Sequence, residues 1–304
     1  MARLSGEHAP VPGRQGARWW LAGVALALSA VVAAAAWSTW SSWRTRLTGP
    51  VDPVVQRMRD TGVLRVGYAV EAPYAWVDDS GNVTGESPET ARLVAHALGA
   101  RRIDWVQVPF DALLTELMAG RFDVVAAGLF VTPARQARVL FSDPTLRVGA
   151  GLLVRVTDAP AAAGPDPRSR PGFRVAVVLG SVEAERLAHW LPAASAVVVP
   201  DVQTARAALL VGQADAVALS WPTLARIAQG SQGQLVAFRL PVWPGAAADH
   251  VAFAFHPEHP GLRDAWNLAQ RDVLGGPAHL AILQRFNLGA DDLVRPAAGA
   301  GARP

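Results

Sequence analysis

The chain has 304 residues, of which 51% are hydrophobic and 17% are charged. This composition supplies enough apolar side chains to bury the core of one large or two ordinary domains, and it excludes a largely disordered chain. All 28 basic residues are arginines; five of them fall in residues 1–46 with one acid, and 23 stand against 24 acids in residues 47–304. Without a basic stripe in that body, a nucleic-acid partner is not expected. The absence of cysteine excludes disulfides, thiolate metal sites and cysteine nucleophiles.

The first feature along the chain is an apolar run from Trp19 to Trp37, in which Ser29 is the single polar side chain. A run of this length is just sufficient to span a bilayer, and the arginines before it favour a cytoplasmic N-terminus for residues 1–18. Tryptophans at both ends are typical of a retained transmembrane helix. The alternative is a cleaved signal segment, because the alanines before Trp37 resemble a cleavage site. Either interpretation places the body outside the cytoplasmic membrane.

Short β-rich runs alternate with helical patterns from residue 62 onward, after a linker over residues 38–61. In the first half, strands are predicted at Leu64–Tyr68, Val83–Thr84, Ile103–Val108 and Asp123–Ala127, and helices at residues 88–98 and 110–119. In the second half, strands are predicted at Arg174–Val178, Asp215–Leu219 and Val251–Phe255, and helices at residues 183–190, 204–211, 261–274 and 278–286. This order predicts an α/β protein with ligand chemistry at the carboxyl ends of its strands. A loop is expected over residues 156–172 and a disordered tail over residues 291–304.

Several ordered motifs together resemble bacterial extracellular solute-binding proteins of family 3, the amino-acid-type receptors of ABC importers. They are Leu64-Arg65-Val66-Gly67, Glu71-Ala72-Pro73-Tyr74, Gly85-Glu86-Ser87-Pro88-Glu89, Gly120-Arg121-Phe122-Asp123, Thr132-Pro133-Ala134-Arg135, Phe141-Ser142-Asp143-Pro144 and Gly212-Gln213-Ala214-Asp215. The similarity covers residues 62–290 and is closest to the ectoine/hydroxyectoine-binding branch. The resemblance implies a type II periplasmic-binding-protein fold, with two lobes joined by two crossing strands and a solute in the cleft. Lobe 1 would comprise residues 62–150 and 253–290, and lobe 2 would comprise residues 156–248.

The same resemblance implies a set of ligand-binding residues, some of which the local chemistry also favours. A guanidinium at Arg135 can hold a carboxylate through two parallel hydrogen bonds, and it follows a buried strand at a place where α/β folds present ligands. The turn at Gly180-Ser181 precedes a helix and offers backbone N–H groups to the same anion. The full set is Glu71, Tyr74, Phe110, Phe130, Thr132, Arg135, Gly180, Ser181, Ser220 and Trp221. No catalytic residue, metal or cofactor is expected.

The expected specificity for the cationic end of the solute depends on Glu71 and on the rings of Tyr74, Phe110 and Phe130. It also depends on one departure from the family pattern. Amino-acid receptors of this family carry an aspartate where this chain has Ser220, so ordinary α-amino acids lose a partner for their ammonium group. The expected function is therefore a non-enzymatic receptor that delivers a small zwitterionic, ectoine-like solute to the permease of an ABC importer. The alternatives are a receptor for a polar amino acid and a cyclohexadienyl-dehydratase-like enzyme, for which Glu71 or Glu89 would be the general acid.

Retention of the Trp19–Trp37 segment has a direct test. If the segment is a helix that stays in the bilayer, full-length protein will remain in the membrane fraction after high-salt and carbonate washes. Mass spectrometry should then find the N-terminal peptide intact. A mature N-terminus near Trp37 would show cleavage instead.

Overall fold

The structure is a computed structural model, and it describes residues 51–159, 172–240, 249–289 and 292–294. The α-helices in these ranges are α1 Pro53–Thr61, α2 Glu86–Ala97, α3 Leu113–Met118, α4 Pro133–Gln136, α5 Val182–Trp190, α6 Val202–Leu210, α7 Trp221–Gln229, α8 Pro260–Val273 and α9 Pro277–Arg285. The strands are β1 Val63–Tyr68, β2 Trp76–Val77, β3 Val83–Thr84, β4 Arg102–Gln107, β5 Val124–Val125, β6 Leu140–Phe141, β7 Leu146–Val148, β8 Ala150–Arg155, β9 Arg174–Val178, β10 Ser195–Val199, β11 Ala216–Ser220, β12 Leu235–Arg239, β13 Asp249–Val251 and β14 Ala254–Phe255.

Two five-stranded sheets define two α/β lobes, which confirms the predicted fold class. The first sheet has the order β4-β1-β5-β14-β6, with β1 parallel to both of its neighbours and β14 antiparallel to both of its own. The second has the order β10-β9-β11-β8-β12, with β9 parallel to β10 and β11, and β8 antiparallel to β11 and β12. The carboxyl ends of the parallel strands therefore collect at one edge of each sheet, where ligands bind in such folds.

The chain passes from the first sheet to the second through β7 and β8. Strand β7 pairs antiparallel with β13, with His250 opposite Arg147, and Gly149 separates β7 from β8. After β13 the chain enters β14 and so returns to the first sheet. Two neighbouring antiparallel segments thus connect the lobes.

Helix α1 corrects the assignment of residues 38–61 to a linker. Residues 38–50 of that segment lie outside the described part of the chain. Asp52 caps α1 by accepting a 2.9 Å hydrogen bond from the Val54 amide, and Gly62 ends the helix in the left-handed conformation. Val54, Val55 and Met58 are buried in the core of lobe 1. The helix has only nine residues, which is too short for a clear periodic pattern in the sequence. Packing of its buried residues against the rest of lobe 1 stabilises it.

Other elements differ from expectation at their ends. The predicted helix over residues 110–119 begins as a 3-10 turn at Phe110–Ala112, and β5 is shorter than the predicted strand. Strands β10 and β12 were not predicted. The described residues 292–294 correct part of the expected disordered tail, because Leu293 forms a β-bridge with Leu146.

The apolar segment Trp19–Trp37, most of the predicted loop over residues 156–172 and the last ten residues lie outside the described residues. Among the helices that the structure does describe, none has the length and apolar character needed to cross a bilayer.

The same aspartate–arginine device anchors both sheets. In lobe 1, Asp123 precedes β5 and accepts hydrogen bonds from the Arg65 amide at 3.0 Å and from Arg65 Nη2 at 2.7 Å. In lobe 2, Asp215 precedes β11 and accepts the equivalent bonds from Arg174 at 2.9 and 2.8 Å. Burial raises the pKa of Asp123, but the arginine hydrogen bonds outweigh burial and hold that pKa below its usual value. Each carboxylate fixes the register of a central strand pair.

The two pairs differ in burial, which gives a matched test of stability. The Asp123 side chain is 2% exposed, whereas that of Asp215 is 24% exposed. Asp123→Asn should lower the free energy of unfolding by about 2 kcal/mol, because it removes a buried carboxylate that accepts several hydrogen bonds from arginines. Asp215→Asn should cost about 1 kcal/mol, as expected of a partly solvated pair. Urea titrations at pH 7 measure both.

The hydrogen bonds from arginine to Asp123 also make stability depend on pH. Since the folded-state pKa of Asp123 lies below its unfolded value, its stabilising contribution is present above pH 3.8 and is lost as the pH falls through the folded-state value. For the substitutions themselves, an equal loss of unfolding free energy in Asp123→Asn and Asp215→Asn would contradict the role of burial.

Candidate functional site

A cleft lies between the strand ends of lobe 1 and the helix starts of lobe 2. One part has a volume of about 400 Å³ and the other about 520 Å³, within the range of pockets that take small molecules. The two parts share Val70, Glu71, Gln107, Val202 and Gln203, so they are neighbouring chambers of one cleft. Pro109, Phe110 and Asp201 are among the residues that line the smaller chamber. Trp76, Arg206 and Arg226 are among those that line the larger chamber.

Arg135 lies at the boundary of the lobes and is 6% exposed. Thr132 caps the short helix α4 by accepting a 3.2 Å hydrogen bond from the Arg135 amide, which sets the direction of the arginine side chain. Its guanidinium donates to the Phe130 carbonyl at 2.7 Å and to the Gly180 carbonyl of lobe 2 at 2.9 Å. The ring centroid of Phe110 lies 5.9 Å from the guanidinium carbon. Arg135 thus bridges the two lobes through main-chain oxygens.

Burial lowers the pKa of Arg135, while the nearby carboxylates of Glu185 and Glu183 raise it. Arginine stays protonated in proteins, so a permanent positive charge is held in a poorly solvated place. Such a charge attracts an anion more strongly than an exposed one does.

The turn at Gly180-Ser181 brings lobe 2 against lobe 1. Gly180 has a φ of 76°, and a Cβ added there would lie 3.1 Å from the Cα of Asp111. Ser181 caps α5 by accepting a 3.1 Å hydrogen bond from the Ala184 amide. The Ser181 amide donates to the Val178 carbonyl at 3.0 Å, so it is not the free donor that the sequence predicted.

Glu71 connects the lobes through hydroxyl groups. Its Oε1 atom accepts a 2.8 Å hydrogen bond from the Thr223 hydroxyl, which in turn accepts a 3.1 Å bond from the Ser220 hydroxyl. Burial raises the pKa of Glu71 to about 7, although the hydrogen bond from Thr223 opposes the shift. Ser220 and Thr223 are both buried. Ser220 is therefore engaged in a relay to Glu71.

Tyr74 and Phe130 line neither chamber. They lie in one buried apolar cluster, against which Trp76 of the larger chamber packs. Gly128, with a φ of 64°, leaves room for the Tyr74 ring, because an added Cβ would lie 2.4 Å from its Cγ. The Tyr74 hydroxyl is buried and has no hydrogen-bond partner of good geometry among the described residues, although Ser220 is near. Burial raises the pKa of Tyr74 well above its usual value.

Trp221 lies apart from both chambers. The guanidinium carbon of Arg239 sits 4.4 Å from the centre of its ring, and the ring lies against Gly151. Of the ten residues expected at the site, Glu71 and Phe110 line the chambers, whereas Thr132, Arg135, Gly180 and Ser181 meet at the lobe boundary.

Sequence reasoning missed several residues that line the larger chamber: Trp76, Gln107, Gln203, Arg206 and Arg226. Gln107 ends strand β4, and Gln203 and Arg206 lie on the helix that follows β10. Strand ends and the helix starts after them are where α/β folds present ligands, so recognition of β10 would have drawn attention to α6.

Glu86 is a second buried carboxyl group, on the first turn of α2 and 1% exposed. It accepts hydrogen bonds from the Ser87 hydroxyl at 2.8 Å and the Thr90 hydroxyl at 3.3 Å. Burial raises the pKa of Glu86 to about 7 despite these bonds. Glu86 is linked to the packing of Tyr74 through Ser87. The Ser87 hydroxyl, which donates to Glu86, also accepts a 3.0 Å hydrogen bond from the amide of Gly128, the residue that lies against the Tyr74 ring.

Two α/β lobes with a charged and aromatic cleft between them offer a place where a small molecule can be enclosed. The chain belongs to the bacterial extracellular solute-binding proteins, family 3, whose family model matches residues 64–284. This is a family of extracytoplasmic binding proteins for amino-acid ABC transporters, whose members bind small solutes and permease components. The matched relatives are mostly solute-binding proteins.

Individual relatives agree with this membership. The chain is 30% identical over 230 residues to a probable amino-acid ABC transporter periplasmic-binding protein of Sinorhizobium fredii, covering 74% of this chain and 76% of that protein. Among solved structures, EhuB in complex with hydroxyectoine matches with a TM-score of 0.69 at 23% identity, covering 79% of this chain and 94% of EhuB. A substrate-binding protein from Streptococcus pneumoniae bound to L-arginine matches with a TM-score of 0.68 at 22% identity, covering 77% and 97%. At these identities the two structures show the fold.

The raised pKa of Glu86 predicts a specific pH dependence of stability. Because the folded state binds this proton more tightly than the unfolded state, stability falls as the pH rises from the unfolded value of 4.5 to about 7. Glu86→Gln should flatten this fall by up to about 3 kcal/mol, the equivalent of the shift in pKa. Thermal or urea unfolding between pH 4.5 and 8 measures it.

Glu89, one turn later, forms ion pairs with Arg92 and Arg285 and provides the control. Glu89→Gln should leave the fall in stability in place. If stability fell with rising pH in Glu86→Gln as steeply as in the unmodified protein, Glu86 would not be the cause of the fall.

Proposed function

We propose that this chain is the extracytoplasmic solute receptor of an ABC importer, and that it encloses a small zwitterion of the ectoine type between its lobes. The observation that carries the proposal is the pairing of opposite groups at the lobe boundary. Arg135 and Glu71 each bond from lobe 1 to lobe 2. A zwitterion that met both groups would hold the two lobes together.

In this proposal the solute carboxylate binds at Arg135. The Nη2 atom of Arg135 bonds the Gly180 carbonyl, and a carboxylate is a stronger acceptor than a neutral carbonyl. Entry of the solute would replace that bond with a charge-assisted one and leave the Phe130 carbonyl to hold the other side of the guanidinium. Thr132 contributes by fixing the start of α4.

The positive end of the solute faces Glu71 and the ring of Phe110, which line the smaller chamber together. A diffuse cation such as a ring amidinium suits an aromatic face and a single carboxylate. A primary ammonium group has three strong donors and would leave some unpaired, because Ser220 donates its hydroxyl to Thr223 and carries no charge. Tyr74 and Phe130 lie in the buried cluster against which Trp76 packs, whereas Trp221 is not included in the proposed site.

A polar amino acid is the second candidate. The charged and amide side chains of Asp201, Gln107 and Gln203 in the cleft favour it, since they can bind an ammonium group or a polar side chain.

A dehydratase-like enzyme is the third candidate, because Glu71, with a pKa of about 7, could act as a general acid. Formation of product from prephenate or arogenate would replace the receptor function with that enzyme.

We further propose that residues 19–37 tether the receptor to the outer face of the cytoplasmic membrane. The apolar run is long enough to span the bilayer, and the described body follows it in the sequence. The receptor would then contact the permease subunits of the importer at the outer face of the same membrane.

Calorimetry distinguishes the candidate solutes. Ectoine or hydroxyectoine should bind at least about tenfold more tightly than glutamine or arginine, the expected cost of leaving one ammonium donor unpaired. Arg135→Ala should weaken ectoine binding at least about thirtyfold, because it removes the charge that pairs with the carboxylate. Arg138→Ala provides the control, since Arg138 is exposed three residues later.

Tight binding of glutamine or arginine without a response to ectoine would favour the second candidate. Circular dichroism of the Arg135→Ala variant would confirm that the protein remains folded.

A further inference from the structure

The larger chamber carries positive charge that the proposed contacts leave unused. Arg206 on α6 and Arg226 on α7 line it from lobe 2, whereas Glu71 is the single acid among its described lining residues. In the described part of the chain, neither arginine forms a salt bridge. Two guanidinium groups therefore share a chamber of about 520 Å³ with one carboxyl group, that of Glu71.

The Nε–H group of Arg206 is buried and has no hydrogen-bond partner among the described residues. Native proteins pair nearly all buried donors, because an unpaired donor loses its bonds to water without replacement. A buried donor without a partner beside an open chamber indicates a place for an acceptor that comes from outside the chain.

Arg226 is held at the chamber by a ring of the opposite lobe. Its guanidinium carbon lies 4.8 Å from the centre of the Trp76 ring. Stacking on a ring uses the face of a guanidinium and leaves its N–H groups, which point outward in the plane, available for an acceptor. Trp76 thus positions the cation without neutralising it.

The two chambers differ in sign. The smaller one is lined by Glu71 and Asp201, and the larger one by Glu71, Arg206 and Arg226. A solute that spans both would be oriented with its cationic part toward Phe110 and an anionic part toward Trp76.

We propose that Arg206 and Arg226 form a second anion subsite, which binds an additional carboxylate in solutes that carry one besides the carboxylate at Arg135. Zwitterions with two carboxylates and one cationic group are then a further solute class for this cleft, beside the single-carboxylate zwitterions of the ectoine type. Gln107 and Gln203 line the same chamber and can donate amide N–H groups to this carboxylate. The inference rests on the proposed function, since it requires that the cleft binds a zwitterion.

Glutamate and glutamine test the subsite, because they differ only in a terminal carboxylate against a carboxamide. Calorimetry on the full-length protein should show glutamate binding at least about tenfold more tightly than glutamine, as expected of a charge-assisted contact to two guanidinium groups. The preference should shrink as the salt concentration is raised, because Arg226 is exposed to solvent and its charge can be screened. Arg206→Gln and Arg226→Gln should each bring the ratio of the two affinities close to one.

Arg239→Gln is the matched control. Arg239 stacks on Trp221 as Arg226 stacks on Trp76, but it does not line the chamber. This variant should keep the glutamate preference of the unmodified protein. Thermal unfolding of all three variants checks that each is folded.

Equal affinities for the two amino acids, or a preference that survives both chamber substitutions, would overturn the subsite. If ectoine or glutamine binds while glutamate has no advantage, the proposed receptor function stands and the subsite alone is wrong. If neither amino acid binds, the subsite is also wrong, and ectoine calorimetry then decides the proposed function separately.

Discussion

The cleft depends on a buried positive charge at the boundary of two lobes. Arg135 cannot lose its proton, and burial deprives it of water, so its donors must find oxygen atoms nearby. In this structure the oxygens are the carbonyls of Phe130 and Gly180, one from each lobe. This requirement links the geometry of the cleft to the packing of the lobes. It also explains why an anionic group from a solute could compete for the same donors.

Lobe 1 also contributes two carboxyl groups whose charged forms are disfavoured by burial. Glu86 is buried in lobe 1 and Glu71 lies where the lobes meet, and burial raises the pKa of each to about 7. Because burial disfavours the charged form of Glu71, a cation that entered the cleft would favour ionisation of this group. The hydroxyl of Thr223, which donates to Glu71 from lobe 2, couples that change to the contact between lobes. Solute charge, proton binding and lobe contact are therefore linked in one place.

The scaffold around the cleft repeats one device in both lobes. A Gly-x-x-Asp segment ends at Asp123 in lobe 1 and at Asp215 in lobe 2, and each aspartate holds an arginine of the adjacent strand. The repeated contact aligns parallel strands whose carboxyl ends face the cleft. Binding residues then need only short segments after those ends, which is why loops and helix starts provide them.

The sequence by itself determined the α/β alternation, the family and the short segments around Glu71 and Arg135, because these depend on local patterns and ordered motifs. It did not determine α1, whose three buried residues are stabilised by packing against α8 and β1 rather than by a long helical pattern. Nor did it determine that Arg206, Arg226 and Trp76 share a chamber, or that Trp221 lies outside it. Tertiary structure decided these points, because the lining of a cleft follows from which surfaces of two separately built sheets come together, and residues more than a hundred positions apart meet there without any local signal.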